Sequence, residues 1–253
     1  MTPTGPVQWH ETIDSTNEEA RRLAQAGHYG PTWIAARAQS AGRGRLGRQW
    51  NSPTGNLYCT ALFLEPDGPV KATRFPFAAG LAVADTCLAF APETPVQLKW
   101  PNDVRVDGEK LCGILVEAGS GPGGSTWIAA GMGLNIQSVP DNVDQPATSL
   151  ARLTGGRPLT ADLVMEELRV CFARRIQQAR EDFPTLLRDW IASAEGLGQT
   201  VRVGKGDAAR TGKFVGLESD GGLRLERPGG QVEIIRAGDV ELVRKVEGDA
   251  TRN

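Results

Sequence analysis

The amino-acid sequence predicts an α+β protein: a central mixed or antiparallel sheet with flanking helices, followed by a small all-β unit. Three observations predict it. Two apolar runs, Trp33 to Ala38 and Leu57 to Leu64, are joined by a glycine- and arginine-rich stretch without a helical pattern, so two strands follow each other with no crossover helix. Asp107-Gly108, set between Asp103 to Val106 and Glu109 to Val116, specifies a tight primed turn and an antiparallel hairpin. After Gly196-Leu197-Gly198 the pattern changes to five short strand-like segments between glycine-rich turns, the spacing of a small barrel of SH3-like size. The expected division is residues 1–196 and 197–253.

The first strand is Val7 to Glu11. Ser15 with Glu18 forms a capping box that opens a helix through about Ala26, where Gly27 ends it. Two readings are open for Ser15-Thr16-Asn17: a cap only, or a helix start that also presents hydroxyls and N–H groups to a ligand. Pro76 to Phe90 has alanine and leucine at helical spacing, with Pro76 in the first turn and Pro92 and Pro95 as stops, the pattern of a core helix. Gln97 to Trp100 precedes the hairpin as a further strand, and Trp127 to Ala130 follows it. Gly131-Met132-Gly133 then lets backbone come close to a neighbour. Gln137 to Pro158 has turn formers and little periodicity, which predicts a mobile loop or lid. A helix over Thr160 to Ala179 carries Val164, Leu168, Phe172 and Ile176 as its apolar stripe, and a shorter one spans Pro184 to Ala194. The last five strands are Thr200 to Val203, Thr211 to Leu217, Gly222 to Glu226, Gln231 to Ile235 and Glu241 to Arg244.

With 253 residues, 40% hydrophobic composition and a net charge of −2, the chain is that of a soluble globular protein rather than a general nucleic-acid or membrane-surface binder. Cys59, Cys87, Cys112 and Cys171 form no paired ligand motif, and His10 and His28 are the only histidines, so neither a zinc site nor a disulfide framework is expected. No apolar run approaches the about 18 residues of a membrane span, and the amino terminus lacks a targeting pattern. The expected location is the cytoplasm.

Against that background, positive charge is gathered in one place. Six arginines and no acidic residue lie between Ala20 and Leu64. The densest part, Gly42-Arg43-Gly44-Arg45-Leu46-Gly47-Arg48, implies a local site for an anion. Its glycines formally match a dinucleotide fingerprint, but that mechanism needs the last glycine to open a helix. Here Pro53 and Gly55 follow, so the glycines instead let a flexible backbone approach a ligand.

The second informative stretch is Lys99-Trp100-Pro101-Asn102-Asp103, followed across the turn by Lys110-Leu111-Cys112-Gly113. A hairpin returns Lys110 and Gly113 toward Asn102 and Asp103. Strict alternation would put Lys110 and Gly113 on opposite faces, an objection that a bulge, or contact through glycine backbone, removes. An ammonium beside a carboxylate or phosphate and flexible arginines suits nucleotidyl transfer. Taken alone, Lys110 also reads as a solvated hairpin residue and Asp103 as a turn former.

Together these residues resemble the bacterial biotin protein ligases, also called biotin–[acetyl-CoA-carboxylase] ligases. The resemblance covers Asp14 to Asn17, Gln39 to Trp50, Lys99 to Gly113, Gly131 to Asn135 and the final β unit, in the family's order and spacing. It implies a fold like that of class II aminoacyl-tRNA synthetases and biotin ligases. It also implies a reaction in two steps: biotin and ATP give biotinyl-5′-AMP, and a lysine of the biotin carboxyl carrier protein of acetyl-CoA carboxylase then takes the biotin. By matching position, Ser15, Thr16, Asn17 and Gln39 would hold biotin, with Gly113 walling its apolar part. Gly42, Arg43, Gly44 and Arg45 would close over the ligand, and Lys110 would contact the reacting carboxylate, so that Lys110, Arg43 and Arg45 are the expected catalytic residues. Arg45, Arg48, Trp50, Asn102, Asp103 and Asn135 would face the adenylate, and Mg2+ would ride on the ATP phosphates near Asp103. The loop should be mobile without ligand and ordered around the labile adenylate. Because the matching pattern begins by Val7, no DNA-binding activity is expected, and free sheet edges suggest a homodimer. The rival readings are a lipoate-type ligase of similar fold, a nucleic-acid-binding module using the arginine loop, and a silent ligand-binding protein.

Overall fold

A computed structural model of the chain describes residues 4–139, 145–204 and 206–243. Its larger sheet has seven strands in the order β1-β2-β3-β7-β6-β5-β4. These are β1 (Val7–Ile13), β2 (Thr32–Gln39), β3 (Leu57–Glu65), β4 (Val96–Lys99), β5 (Asp103–Val106), β6 (Glu109–Ser120) and β7 (Thr126–Leu134). Only β1 and β2 run parallel and every other pairing is antiparallel, which makes the sheet mixed.

Both faces of the central strands are covered. Along β2, Trp33 and Ala35 point into the main core while Ile34 points the other way, and Ile128, Ala129 and Ala130 repeat this on β7. Helix α1 (Thr16–Gln25) closes the second face with Ala20 and Ala24, small residues that let it lie close to Ile34, Leu62 and Ala129. On the first face lie α3 (Phe75–Phe90), α5 (Ala161–Glu181) and α6 (Phe183–Ala192). Trp33 meets Phe172 of α5 edge to face at 5.0 Å, and Phe63 meets Phe75 of α3 at 5.1 Å, a geometry that favours aromatic pairs beyond their area. Two short helices, α2 (Pro69–Ala72) and α4 (Leu150–Leu153), complete this part, and neither is evident from periodicity.

The second sheet is antiparallel, in the order β11-β10-β9-β8-β12. Its strands are β8 (Thr200–Val203), β9 (Arg210–Leu217), β10 (Leu223–Glu226), β11 (Val232–Ile235) and β12 (Val240–Leu242). Each expected strand is present. Among the described residues no pairing joins the edge strands β11 and β12, so the sheet is open. Arg244, placed in the last expected strand, lies outside the described residues. Alternating apolar residues such as Phe214, Leu223 and Leu225 join the main core. The Trp100 indole N–H donates to Gly221 O at 3.1 Å, and Gly221, at φ +87°, sits so close to Phe77 that a Cβ there would fall 2.4 Å from the ring. Arg105 of β5 pairs with Glu195 at 3.1 Å just before the second sheet begins.

The structure departs from the sequence reading in three places. Strand β7 runs through Gly131 and Gly133 to Leu134, because their carbonyls and N–H groups continue the pairing with β3 and β6. Ser15 is the N-cap of α1 but makes no side-chain capping bond, and Glu18 bonds to Arg21 and Arg43 while the Ser15 N–H donates to Asp14 Oδ1 at 2.7 Å. The Gln137 to Pro158 segment, expected as a lid, is anchored over its later part. Lys110 N–H donates to Pro146 O at 2.8 Å and Thr148 N–H to Lys110 O at 3.0 Å, and α4 follows; residues 140–144 lie outside the described set.

Candidate active site

A cavity of about 520 Å³ opens between the hairpin β5–β6, the start of α1, the arginine loop and the turn before β12. That volume lies within the range of small-molecule sites. It brings together all the expected site residues except Gly42, a loop residue that does not line it.

At one end is a polar network built on α1. Thr16 N–H donates to Gln39 Oε1 at 2.8 Å, and Gln39 Nε2 donates to Ser52 Oγ at 2.9 Å. Thr60 of β3 lies 2.9 Å from the Thr16 hydroxyl and donates to Asn17 Oδ1 at 2.7 Å. Asn17 Nδ2 donates to Leu115 O and Glu117 Oε2 at 3.1 and 2.9 Å, so this side chain is saturated by protein. Gly131 lies directly beneath it: a Cβ would fall 1.9 Å from Asn17 Oδ1. Ser15 is buried beside these groups, its hydroxyl not spent on a cap.

The floor is apolar and built on glycine. The Trp50 ring lies on Gly113 and Gly133, where added Cβ atoms would come within 2.9 and 2.5 Å of it. The turn that places Gly113 is read directly from sequence, since Asp107 and Gly108 have φ +50° and +76° as a primed turn requires. The register of β5 against β6 shifts between Val104 and Arg105, leaving Leu111 as an extra residue. This bulge turns Lys110 and Gly113 to one face and resolves the alternation objection.

Lys110 Nζ lies 2.8 Å from Asp103 Oδ1 and 5.0 Å from the centre of the Trp50 ring. Asn102 links the two informative stretches: its Oδ1 accepts from Arg45 at 3.1 Å, and its Nδ2 donates to Ile114 O at 2.8 Å. Asn135 is buried with Nδ2 donating to Thr148 O at 3.1 Å, which ties β7 to the segment that pins Lys110. Burial lowers the pKa of Arg45, and burial with the nearby Arg105 charge lowers that of Lys99.

The arginine loop is a compact turn. Trp50 N–H donates to Gly42 O at 2.9 Å and Gly44 N–H to Arg48 O at 2.7 Å, with Leu46 and Gly47 at the tip at φ +57° and +72°. A single 3-10 turn over Arg45–Gly47 is the only helical feature of the stretch, so the fingerprint reading stays excluded. Gly42 is required by crowding, since a Cβ would meet Trp50 O at 2.3 Å.

Each loop arginine has a carboxylate partner from a distant segment. Arg43 bonds to Glu18 and Glu117, both at 3.0 Å, and so is turned toward the Asn17 end. An Arg48 nitrogen lies 3.0 and 2.9 Å from the two oxygens of Asp239, and Arg45 lies 3.7 Å from the same carboxylate. Thr60, Glu117 and Asp239 were not expected from sequence: each lies outside the glycine and lysine motifs, and no spacing rule joins them to the loop. Among the described residues no group of three or more His, Cys, Asp or Glu is placed to hold a metal ion.

A family model described as "Biotin/lipoate A/B protein ligase family" matches residues 9–137, and one described as "Biotin protein ligase C terminal domain" matches residues 196–243. The chain is 38% identical over 217 residues to a biotin–[acetyl-CoA-carboxylase] ligase of Paracoccus denitrificans, a match covering 83% of this chain and 90% of that protein. It is 30% identical over 219 residues to the bifunctional ligase/repressor BirA of Bacillus subtilis, covering 84% of this chain and 67% of the relative. Among solved structures, a biotin protein ligase from Aquifex aeolicus in complex with biotin and ATP matches with a TM-score of 0.77 at 28% identity, covering 94% of this chain and 99% of that one.

Proposed function

Because the chain belongs to the biotin protein ligase family, we propose that its cavity makes biotinyl-5′-AMP from biotin and ATP and passes the biotin to a lysine of the biotin carboxyl carrier protein of acetyl-CoA carboxylase. The observation that carries this reading is the joining of the two informative stretches over one cavity, through Arg45 and Asn102 on one side and Lys110 and Asp103 on the other. The lipoate-type alternative is less supported, since the relatives above are biotin ligases.

In the first step a biotin carboxylate oxygen attacks the α-phosphorus of ATP, and the bond to the bridging oxygen breaks to release pyrophosphate. Ser15, Thr16 and Gln39 offer donors and acceptors to the ureido ring at the polar end, while Asn17, saturated by its own partners, holds that end in shape. Gly113 with the Trp50 ring walls the apolar part. Lys110 stands at the far end, where it brings the carboxylate to phosphorus and stabilises the charge that gathers on the phosphorus oxygens. Gly42 and Gly44 let the loop backbone close in, and Arg43 and Arg45 cover the ligand. Trp50, Asn102, Asp103 and Asn135 line the side left for the adenylate, and Arg48 would reach it only by leaving Asp239. In the second step the carrier lysine amine attacks the acyl carbon, AMP departs and the amine loses its proton. Magnesium would enter with ATP and neutralise charge on its phosphates, with Asp103, which pairs with Lys110 through Oδ1, as the nearest carboxylate expected to face it.

The same reading extends to four coarser points. The division near Gly196 would separate a catalytic unit from a C-terminal unit of SH3-like kind, whose five-stranded antiparallel sheet supports that reading. Strand β1 is the free edge of the large sheet, since the β4 edge carries a bridge from Leu98 to Ala194, and β1 is where a homodimer would form. Four buried, unpaired cysteines fit a reducing cytoplasm. No described helix is long and apolar enough to cross a membrane, and the reading assigns no DNA partner. The decisive experiment is mass spectrometry of a biotin carboxyl carrier domain after incubation with this protein, biotin and Mg-ATP. A mass increase of one biotin is expected; an unmodified carrier would overturn the reading.

A further inference from the structure

We propose that Asp239 is a positioning residue for the arginine loop: a carboxylate fixed in the second sheet that holds Arg48 permanently and Arg45 exchangeably, so that the second sheet governs how readily the loop opens. The inference rests on the functional reading above, which makes the loop a cover for a labile adenylate.

Asp239 belongs to a rigid frame. Its carbonyl accepts from Gly204 N–H at 2.9 Å, and the preceding Gly238 sits at φ +142° with no room for a Cβ, which would meet Val203 at 2.9 Å. The next residue, Val240, starts β12 and pairs with Val203. The backbone on both sides of Asp239 is therefore set by β8. By contrast, the backbone of the arginine loop from Gly42 to Trp50 makes its hydrogen bonds within the loop, so that only side chains tie it to the rest of the protein, and its tip residue Leu46 is 80% exposed.

The two arginine contacts differ in kind. Arg48 touches both Asp239 oxygens within hydrogen-bonding distance and braces itself on Arg45 O at 3.2 Å. Arg45 stands off at 3.7 Å and spends a nitrogen on Asn102, facing the cavity. A phosphate arriving in the cavity competes with Asp239 for Arg45, where the existing contact is long, and leaves the shorter Arg48 contact in place. Two neighbouring guanidiniums repel each other, and one carboxylate between them removes that cost while the cavity holds no ligand. Arg48 is on this account the fixed end of the loop and Arg45 the working end.

The test uses thermolysin, which cuts before Leu46 when the loop opens, on the full-length protein without ligand. Asp239→Asn should raise the rate of cutting between Arg45 and Leu46 about fivefold, the size expected for the loss of one ordered surface pair. Asp239→Glu should restore slow cutting, and Asp239→Asn combined with Arg48→Gln should cut no faster than either single variant. With biotin, Mg-ATP and a non-carrier protein present, Asp239→Asn should also biotinylate bystander lysines more than the parent does. An unchanged cutting rate, multiplicative effects in the double variant, or a rise spread equally over sites outside the loop would overturn the proposal. Failure of the functional reading shows separately, as the absence of biotin-dependent ATP–pyrophosphate exchange in the unaltered chain, and leaves the ligand-free cutting comparison intact.

Discussion

Lys110→Met separates chemistry from stability at this site. The Lys110 ammonium lies 2.8 Å from Asp103 Oδ1, and the two side chains keep 13% and 11% of their exposure. Removing the cation strands a largely buried carboxylate, while methionine fills the volume of the lost stem. Breaking a fully buried pair costs about 3–5 kcal/mol; the residual exposure of both partners lowers the expectation to about 2–3 kcal/mol. In a chain of this size that is a fall in melting temperature of about 4–12 °C. Catalysis loses more, since one preorganised donor facing developing charge is worth about 10²–10³ in rate. A double variant, Lys110→Met with Asp103→Asn, removes both charges at similar shape and should return stability to within about 1 kcal/mol of the parent. Its biotin-dependent ATP–pyrophosphate exchange should stay low. Calorimetry and exchange assays on the same preparations read both quantities, and Asp103→Asn alone reports what the carboxylate contributes. Exchange restored together with stability would refute the assignment, because Lys110 would then serve only to neutralise Asp103. Equal melting temperatures for the parent and Lys110→Met would refute the energetic reasoning.

Three further outcomes are expected. Arg45→Gly removes the guanidinium bonded to Asn102 at 3.1 Å, so the adenylate escapes and biotinylates bystander lysines; streptavidin blots of a mixed-protein reaction read this, and an active variant that stays strictly specific for the carrier would count against it. Gly131→Ala places a Cβ 1.9 Å from Asn17 Oδ1, an overpacking worth about 1–3 kcal/mol. It should raise KM for biotin more than it lowers kcat, and unchanged biotin affinity by calorimetry would contradict the placement of the polar end. Hydrogen bonds from Arg22 hold the Asp14 carboxyl at about 2, below its ordinary 3.8. A depressed carboxyl stabilises the fold above 3.8 and loses that contribution as pH falls through about 2. Both side chains are more than two-fifths exposed, so the contribution is under about 1 kcal/mol. Asp14→Asn should therefore flatten the acid limb of melting temperature against pH slightly, and an identical limb would show that the pair contributes nothing.

The parts of the molecule legible in its sequence are those where a local rule has one solution. Asp107-Gly108 needs two positive φ values and receives them, which fixes the hairpin and with it the nearness of Lys110 to Asp103. Apolar runs without alternation at Trp33 and Leu57 announce strands buried on both faces, as Trp33 and Ile34 are in separate cores. The close approach expected at Gly131 and Gly133 is present, with Asn17 and Trp50 pressing on them, but β7 runs on through both instead of ending at Ala130. Steric demand from a side chain far away in sequence leaves the same mark as conformational demand from a turn. The Ser15–Glu18 box does not form for a related reason: Glu18 is taken by Arg21 one turn on and by Arg43 from the loop, and only the first of these is visible in the local pattern.

The arginine loop shows where such reading stops. The absence of acidic residues between Ala20 and Leu64 implies unneutralised positive charge in need of an anion. In the folded chain Glu18 and Glu117 meet Arg43, and Asp239 meets Arg48 and, less closely, Arg45. Charge that is segregated along the chain is thus neutralised in space by carboxylates from the first turn of α1, from β6 and from the turn before β12. A phosphate bound here must compete with carboxylates already in place, and its gain in binding is the difference between the two partners rather than the full attraction of a bare cation. The competition is least demanding at Arg45, whose carboxylate contact is the longest of the four and whose side chain faces the cavity. Arg45 is then the direct hold on the adenylate, and Asp239 sets both the contact that the phosphate must displace and how firmly the loop is anchored.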